Sequence, residues 1–549
     1  MPTITLNKNV LEKLIGKKVS GAVLAEKVGM LGTSVESADD NEITIEVSPN
    51  RPDLLSEQGV ARALSSFMGI KTGLRNYAVK KSGVKVIIEK NMKNVRPYTS
   101  CAVVKNLKLD DEKIKELINI QEKLHITFGR QRKKVAIGIY PFEKIKPPIR
   151  FVAKDPREIK FKPLGFPREI PAIDVLKQHP TGRDYAHLLE GYDKFPFFID
   201  ANDEVMSMPP IINSENIGKI TEQTKDIFIE CSGFDFAVLS KCLNIIVCAL
   251  ADMGGQVCSV RLDYQGKKIE TPNLKPEEMK IDLDYVNKRI GLELKESEMK
   301  KLLERMGYDY KNKKVFVPAY RADVMHQIDL VEDIAIAYGY DNIIEKIPSI
   351  ATVGEEDKFE IFKNKIRNIL IGLKLIEVNT YNLTNKDLQT VKMDFNTEII
   401  SLANALSLDY NALRAWLIPS IIEVLKGNRH NDYPQNIFGF GTVFKKNNEK
   451  ETKIEESDAL SVVRCSEKTD FTAIKQVLDY LMKSINVKYE ITDAEHTSFV
   501  TGRAGKIMVN GKEIGIFGEI KPEVIERWDL EMPVTALEIN ATKLFEMLK

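Results

Sequence analysis

The chain has 549 residues, 43% hydrophobic, 29% charged and 8% aromatic. That composition excludes a fibrous or disordered chain, and the length implies roughly three to five domains. Lysine plus arginine (80) nearly cancels aspartate plus glutamate (79), so no whole-protein field draws the chain to nucleic acid or an anionic membrane, and any RNA contact must be local. The six cysteines form no C-x-x-C pair and have no histidine at zinc-ligand spacing, which marks them as reduced and mostly structural. The opening residues carry no apolar leader, and the richest later run, Cys242 to Met253, is too short to span a bilayer and stops at Gly254-Gly255. These features set the expectation of a cytoplasmic protein without a membrane segment.

In chain order, helical spacing at Val10, Leu11, Leu14 and Ile15 precedes an alternating strand at Ile43, Ile45 and Val47. Pro49 and Pro52 then fix a turn, Ser56 is placed to cap a helix, and Gly69 to end it. This is a small α/β domain, residues 1–83. Residues 84–265 are strand-rich, with clear runs at Val135 to Tyr140, Phe195 to Ile199, Asp226 to Glu230 and Val257 to Leu262, which predicts a mixed α+β domain. Residues 270–348 read helix, helix, strand, helix: Ile281 to Arg289, Glu296 to Met306, Val315 to Pro318 and Ile328 to Tyr338. That order suggests a winged-helix-like module. Residues 355–549 open with a helix, Phe359 to Leu373, and continue in strands, with Asn510-Gly511 as a type I′ hairpin turn.

If the helix starts near Ile328, then Asp329, Glu332 and Asp333 lie at i, i+3 and i+4, with Asp323 on the loop before it. Carboxylates at that spacing repel. A hard cation such as Mg²⁺, or basic groups from another chain, would relieve the repulsion. Acids in a first helical turn also suit the macrodipole and can simply stay solvated, and spacing alone favours that reading. Ile336, one turn beyond on the acidic side, hints at a covered surface.

A second constellation is MPPIINSENIGKITEQTKDIFIECSG, Met208 to Gly233. Pro209-Pro210 bends the chain before the polar turn Asn213, Ser214, Glu215, and Thr221 precedes a strand on which Phe228 and Glu230 share a face. A carboxylate beside an aromatic can read a hydroxyl in a pocket; an exposed strand-end glutamate is the plainer alternative. His179 and His187 can line a pocket, although lone histidines are more often structural or surface residues. Arg130, Arg132, Lys133 and Lys134 form a basic cluster that suits a phosphate backbone or, more simply, a solvated loop. No P-loop, dinucleotide fingerprint, nucleophile elbow or zincin motif occurs.

Taken together, SPNRPDLLSEQGVAR, VPAYRADVMHQIDLVEDIAIAYGYDNI, LRAWLIPSIIEVLKGNRHNDYPQNIFGFGTVF and GRAGKIMVNGKEIGIFGEIKPEVIERWDL, in that order along nearly the whole chain, resemble the phenylalanyl-tRNA synthetase β subunit. PPIINSE and TKDIFIE resemble the archaeal and eukaryotic form of its editing domain, and the chain is of the short type, without the inserted RNA-binding module and the C-terminal anticodon-binding domain of bacterial members.

The resemblance implies that Asp323, Asp329, Glu332 and Asp333 hold a Mg²⁺ shared with a catalytic α subunit. It assigns hydrolysis of mischarged tyrosyl-tRNA to residues 84–265, with Glu230 reading the tyrosine hydroxyl and Asn213, Ser214 and Thr221 as further pocket residues. It makes the last domain similar to the class II synthetase catalytic fold, an antiparallel sheet flanked by helices. Class II sites bind ATP phosphates through arginines, yet NIFGFGTVF and VTALEINATKLFEML contain none. The expected assembly is therefore an α₂β₂ heterotetramer in which the α subunit binds ATP and phenylalanine and charges the tRNA for phenylalanine. A free-standing hydrolase of mischarged tRNA would lack the interface machinery. A nucleic-acid-binding scaffold would need a basic recognition helix, whereas Ile328 to Tyr338 is acidic.

Overall fold

The computed structural model describes residues 2–548, which divide into two compact units, Met1–Ile347 and Pro348–Lys549. Both mix α and β structure.

The first unit opens with a three-stranded sheet in which Glu42–Glu46 lies between Thr3–Asn7 and Ser34–Ala38. Helix Glu57–Phe67 begins where expected, because Ser56 accepts a hydrogen bond from the Gly59 amide at 3.0 Å. This segment does not bury a core of its own. Leu6, Leu11, Ile45 and Leu64 share one apolar cluster with Leu117, Ile137, Ile229 and Leu243 of the following region. The boundary expected at residue 83 falls inside strand Lys80–Ile88 of the next sheet, and the regions on its two sides share one core.

The second sheet of this unit has ten strands. From edge to edge they run Ile212–Asn213, Val205–Met208, Phe195–Ile199, Ile149–Lys154, Lys80–Ile88, Gln256–Tyr264, Tyr98–Lys105, Ile227–Gly233 and Val135–Pro141, with Lys267–Thr271 paired to Gln256–Tyr264 outside that path. The sheet curls until its edges meet, and Asn213 Nδ2 donates to the Ile139 carbonyl across the seam at 3.4 Å. Helices Asp111–Ile126 and Phe236–Asp252 cover one face. The second of these carries the apolar run from Cys242, with Met253 as its C-cap; among the described residues no helix is long and apolar enough to cross a membrane.

The unit ends in helices Leu283–Ile290, Glu296–Arg305 and Gln327–Tyr338 around Val286, Leu303 and Ile334. Strand Lys314–Val317 lies between the short strands Glu277–Lys280 and Asp309–Lys311. These two are four and three residues long, below what alternation can reveal.

The second unit is built on seven strands in the order Ile376–Glu377, Gln435–Lys446, Ile454–Cys465, Val534–Asn540, Lys512–Ile520, Phe499–Val509 and Glu490–Asp493. All neighbours are antiparallel except the first pair. Alternate residues feed two cores, Val463 and Ala536 into one, Val462 and Leu537 into the other, so both faces are covered. Asn510 and Gly511 form the hairpin turn with φ of 51° and 72°, the positive values a type I′ turn requires.

Candidate functional site

A cavity of about 480 Å³ opens at the seam of the curled sheet, between helix Asp111–Ile126, the edge strand Val135–Pro141 and the turn Pro209–Asn213. Glu230 lies in its wall. It is mid-strand and only 2% exposed, which overturns the strand-end alternative. Strand alternation carries Ile229 and Cys231 to the helical side and turns Phe228 and Glu230 toward the interior of the curl. The neighbouring residue in register is Gly138, where a Cβ would lie 2.1 Å from Tyr140 Oη and 2.5 Å from Glu230 Oε1. The glycine of the IGIY run is what gives the carboxyl room.

Tyr140 Oη donates to Glu230 Oε1 at 3.2 Å, while Glu230 Oε2 is buried with no hydrogen-bond partner. Burial pushes the carboxyl up to about 8, against the pull of Arg96 and the Tyr140 hydrogen bond. At neutral pH the group is a neutral carboxylic acid.

Three more wall residues hold an unpartnered buried atom: Arg132 Nε, His179 Nδ1 and Ser207 Oγ. Arg132 donates to the Ile211 carbonyl at 2.8 Å and to Glu122 at 3.1 Å, and its guanidinium lies 4.3 Å from the centre of the Tyr185 ring. The Leu164 carbonyl, 3.1 Å from His179 Nε2, can only accept, so Nε2 carries the hydrogen and Nδ1 presents a lone pair. His125 is set the other way. Its Nε2 accepts from the Ile137 amide at 2.8 Å, so Nδ1–H faces Glu122 at 3.2 Å, and burial holds its pKa below the ordinary value. The wall therefore combines an apolar lining (Leu117, Ile137, Ile211) with a few fixed polar groups, the make-up of a site for a small ligand or an amino-acid-sized group.

Of the residues expected in this pocket, Glu230 and Asn213 line it. Ser214 is buried and instead caps helix Glu215–Gly218, accepting from the Ile217 amide at 3.4 Å. Thr221 is exposed and outside the lining. His179 is in the wall, whereas His187 is exposed. Ser207, also in the wall, sits between two methionines on a strand and gave no sequence signal.

The acidic helix departs from expectation. Asp323, Asp329, Glu332 and Asp333 are not gathered, and among the described residues no group of three or more His, Cys, Asp or Glu is placed to hold a metal ion. Arg321, 3% exposed, donates to Asp323 at 2.8 and 2.7 Å and to Asp333 at 2.8 Å, and Tyr308 Oη donates to Asp333 as well. Asp329 turns back to cap the helix, accepting from the Met325 and His326 amides at 2.8 Å each. Only Glu332 stays exposed. Magnesium needs several converging oxygens, and in this chain a guanidinium supplies the positive charge, so the four carboxylates do not fit that ion. Ile336 packs on the first unit's main core, which accounts for its place without a second subunit.

In the second unit, strand Gln435–Lys446 has no arginine of its own, but Arg414 reaches it from elsewhere. Arg414 is 1% exposed and spends its donors on the Thr442 carbonyl at 2.7 Å, Thr380 Oγ1 at 2.8 Å and Asn382 Oδ1 at 2.7 Å. Gly441 leaves the space, since a Cβ there would lie 2.2 Å from the guanidinium.

Comparison with known proteins places these features in a family. Residues 343–541 match the model of the phenylalanyl tRNA synthetase beta chain CLM domain, and residues 279–340 that of the tRNA synthetase B5 domain. The phenylalanine–tRNA ligase beta subunits of Pyrococcus horikoshii and Pyrococcus abyssi are each 42% identical, across 99% and 100% of this chain and all of each relative. The crystal structure of an N-terminal fragment of the phenylalanyl-tRNA synthetase beta subunit from Pyrococcus horikoshii aligns with a TM-score of 0.60 at 41% identity, covering 62% of this chain and all of the fragment. The chain is an aminoacyl-tRNA synthetase component. It belongs to the phenylalanine–tRNA ligase β-subunit family.

Proposed function

We propose that this chain works in the cytoplasm as the accessory β subunit of a phenylalanine–tRNA ligase and hydrolyses mischarged tyrosyl-tRNA in the seam pocket. A separate α subunit binds ATP with its magnesium and phenylalanine, and charges the tRNA for phenylalanine, in an α₂β₂ assembly. Residues 84–265 are the editing domain, 270–348 a winged-helix-like module, and 355–549 a class II-like domain that is catalytically empty.

The observation that carries the editing reading is the orphaned Oε2 of Glu230 in the pocket wall. Tyrosine is phenylalanine plus one hydroxyl, and an apolar synthetic pocket rejects an added hydroxyl weakly. A second pocket that hydrogen-bonds the hydroxyl discriminates far better, because a phenylalanyl group leaves the buried partner unpaired. Glu230 Oε2 suits that role. In hydrolysis, water attacks the ester carbonyl carbon, the bond to the ribose oxygen breaks, and that oxygen leaves with a proton. His179 Nδ1 is the acceptor suited to orient the water.

The empty-domain reading is supported by Arg414, whose bonds to carbonyl and side-chain oxygens leave no fork for a phosphate. Assembly with an α subunit is supported by the exposed Tyr381, Leu406, Leu408 and Tyr410 in the second unit, an apolar set that a monomer would not ordinarily leave uncovered. The test is phenylalanine-dependent ATP–pyrophosphate exchange and tyrosyl-tRNA hydrolysis by the chain alone and with its α partner. Exchange is expected only with the partner. Exchange by the chain alone would overturn the empty-domain reading, and intact tyrosyl-tRNA in the presence of the complex would overturn the editing reading.

A further inference from the structure

Arg130, Gln131 and Arg132 follow one another with φ of 48°, 51° and 64°, a left-handed run that residues with side chains rarely adopt. It is fixed from several sides. A Cβ on Gly129 would lie 2.7 Å from the Val135 carbonyl, so the chain can pass there only as glycine. The Arg132 carbonyl accepts from Arg96 Nη2 at 3.5 Å, and the Arg132 guanidinium is tied to Ile211 and Glu122 in the pocket wall. Strain held this firmly beside a cavity points to function. Here it seats Arg132 in the pocket wall and leaves Arg130, Lys133 and Lys134 exposed. Among the described residues, no carboxylate forms an ion pair with any of these three.

Two exposed rings stand at the same end of the sheet. Gly233 pairs with Val135 on one side and Tyr98 on the other, so Tyr98, Phe234 and Lys134 stand at the same end of three adjacent strands. Phe234 is 50% and Tyr98 40% exposed. Arg96 links ring and turn: its guanidinium carbon is 5.5 Å from the Phe234 ring centre, and the same group holds the Arg132 carbonyl. Unpaired cations interleaved with exposed rings are the chemistry that binds single-stranded nucleic acid, phosphates on the cations and unstacked bases on the rings. A duplex keeps its bases stacked and offers nothing to the rings. In a chain of near-zero net charge, such a patch is a local feature and not part of a general basic surface.

Resting on the reading of the pocket as a hydrolytic site for an aminoacyl ester, we infer that this rim binds the single-stranded RNA end that carries the ester into the pocket. Arg130, Lys133 and Lys134 hold its phosphates, and Phe234 stacks a base.

The test is anisotropy of a labelled short single-stranded RNA with the full-length chain over a KCl series. Combining Arg130→Gln, Lys133→Gln and Lys134→Gln should weaken binding at low salt by roughly tenfold or more. It should also flatten the salt slope by about 2, at roughly 0.7 per phosphate contact on a single strand. Phe234→Ala should weaken binding on the order of tenfold with the slope unchanged, because stacking releases no counterions. Equal binding by the wild type and the triple variant, or duplex RNA held as tightly as single strand, overturns the inference. The hydrolytic reading fails separately. A wild type that shows this binding signature while leaving tyrosyl-tRNA intact keeps the RNA rim and removes the hydrolysis; one that hydrolyses tyrosyl-tRNA while the triple variant binds and deacylates unchanged does the reverse.

Discussion

Replacing Glu230 by alanine should collapse the pocket's preference for a phenolic ester. In the wild type a tyrosyl group can pair with Glu230 Oε2, whereas a phenylalanyl group leaves that buried oxygen unsatisfied. An unpaired buried polar group costs roughly 1–3 kcal/mol, or between about 5- and 150-fold in the ratio of kcat/KM for the two esters. The assay is deacylation of tyrosyl- and phenylalanyl-tRNA by the α-bound chain, wild type against variants. Glu230→Ala should bring the ratio close to one. Glu230→Gln should keep most of it, because a carboxyl titrating at about 8 is a neutral donor and acceptor at neutral pH, as an amide is. An unchanged ratio in the alanine variant would refute the reading. A glutamine variant as damaged as alanine would show that the ionised form does the recognition.

The same carboxyl makes stability fall with pH. Between its ordinary value of 4.5 and about 8 the unfolded group loses its proton while the folded group keeps it, so wild-type stability drops across that window and levels off above it. Glu230→Gln lacks this loss, and its advantage in urea unfolding should open from nothing near pH 4.5 to at most roughly 5 kcal/mol above pH 8; a flat difference would refute the assignment. Gly138→Ala, whose Cβ meets Tyr140 and Glu230, should abolish tyrosyl-tRNA hydrolysis at a cost of about 2 kcal/mol in stability, with phenylalanine charging by the complex intact. Arg321→Ala strands Asp323 and Asp333 and should cost about 3–5 kcal/mol in urea unfolding. Adding EDTA to the wild-type chain should not shift that unfolding curve, since a guanidinium rather than a metal balances the carboxylates; a chelator-dependent shift would count against this.

How much of this was legible depended on whether the determining contacts were local. Ser56 before its helix and Asn510-Gly511 between two strands act within a few residues, and both stand where the sequence put them. Phe228 and Glu230 on a common face follow from the period of two. The fate of the acidic helix was not local. Asp333 is twelve residues from Arg321, and nothing in the spacing says that this arginine folds back beneath the helix to pair with it. Nor could the strand of Asn213 be seen to curl round the sheet to meet the strand of Ile139, although that closure makes the pocket. Gly138 carried a signal in retrospect, a glycine between two isoleucines in a buried apolar strand, which marks a close approach.

Polar burial separates scaffold from site in this chain. Arg321 and Arg414 are almost wholly buried, and each is surrounded by oxygens that accept from its fork. Such groups fix the packing of the elements they bridge and have nothing left to offer a ligand. The seam pocket is built in the opposite way. Glu230, Arg132 and His179 are each held by one set of bonds, which fixes their orientation, and each keeps one buried atom unpaired. Leaving these three atoms and Ser207 Oγ unpaired around one cavity costs stability that no packing argument recovers, and a ligand with a hydroxyl, a carbonyl and a water to place would restore missing bonds. The second unit also buries unpartnered atoms, at Thr384, Gln389, Ser420 and Ser461, so it is the convergence of the wall atoms on one cavity, together with the filled fork of Arg414, that supports placing the proposed chemistry in the first unit.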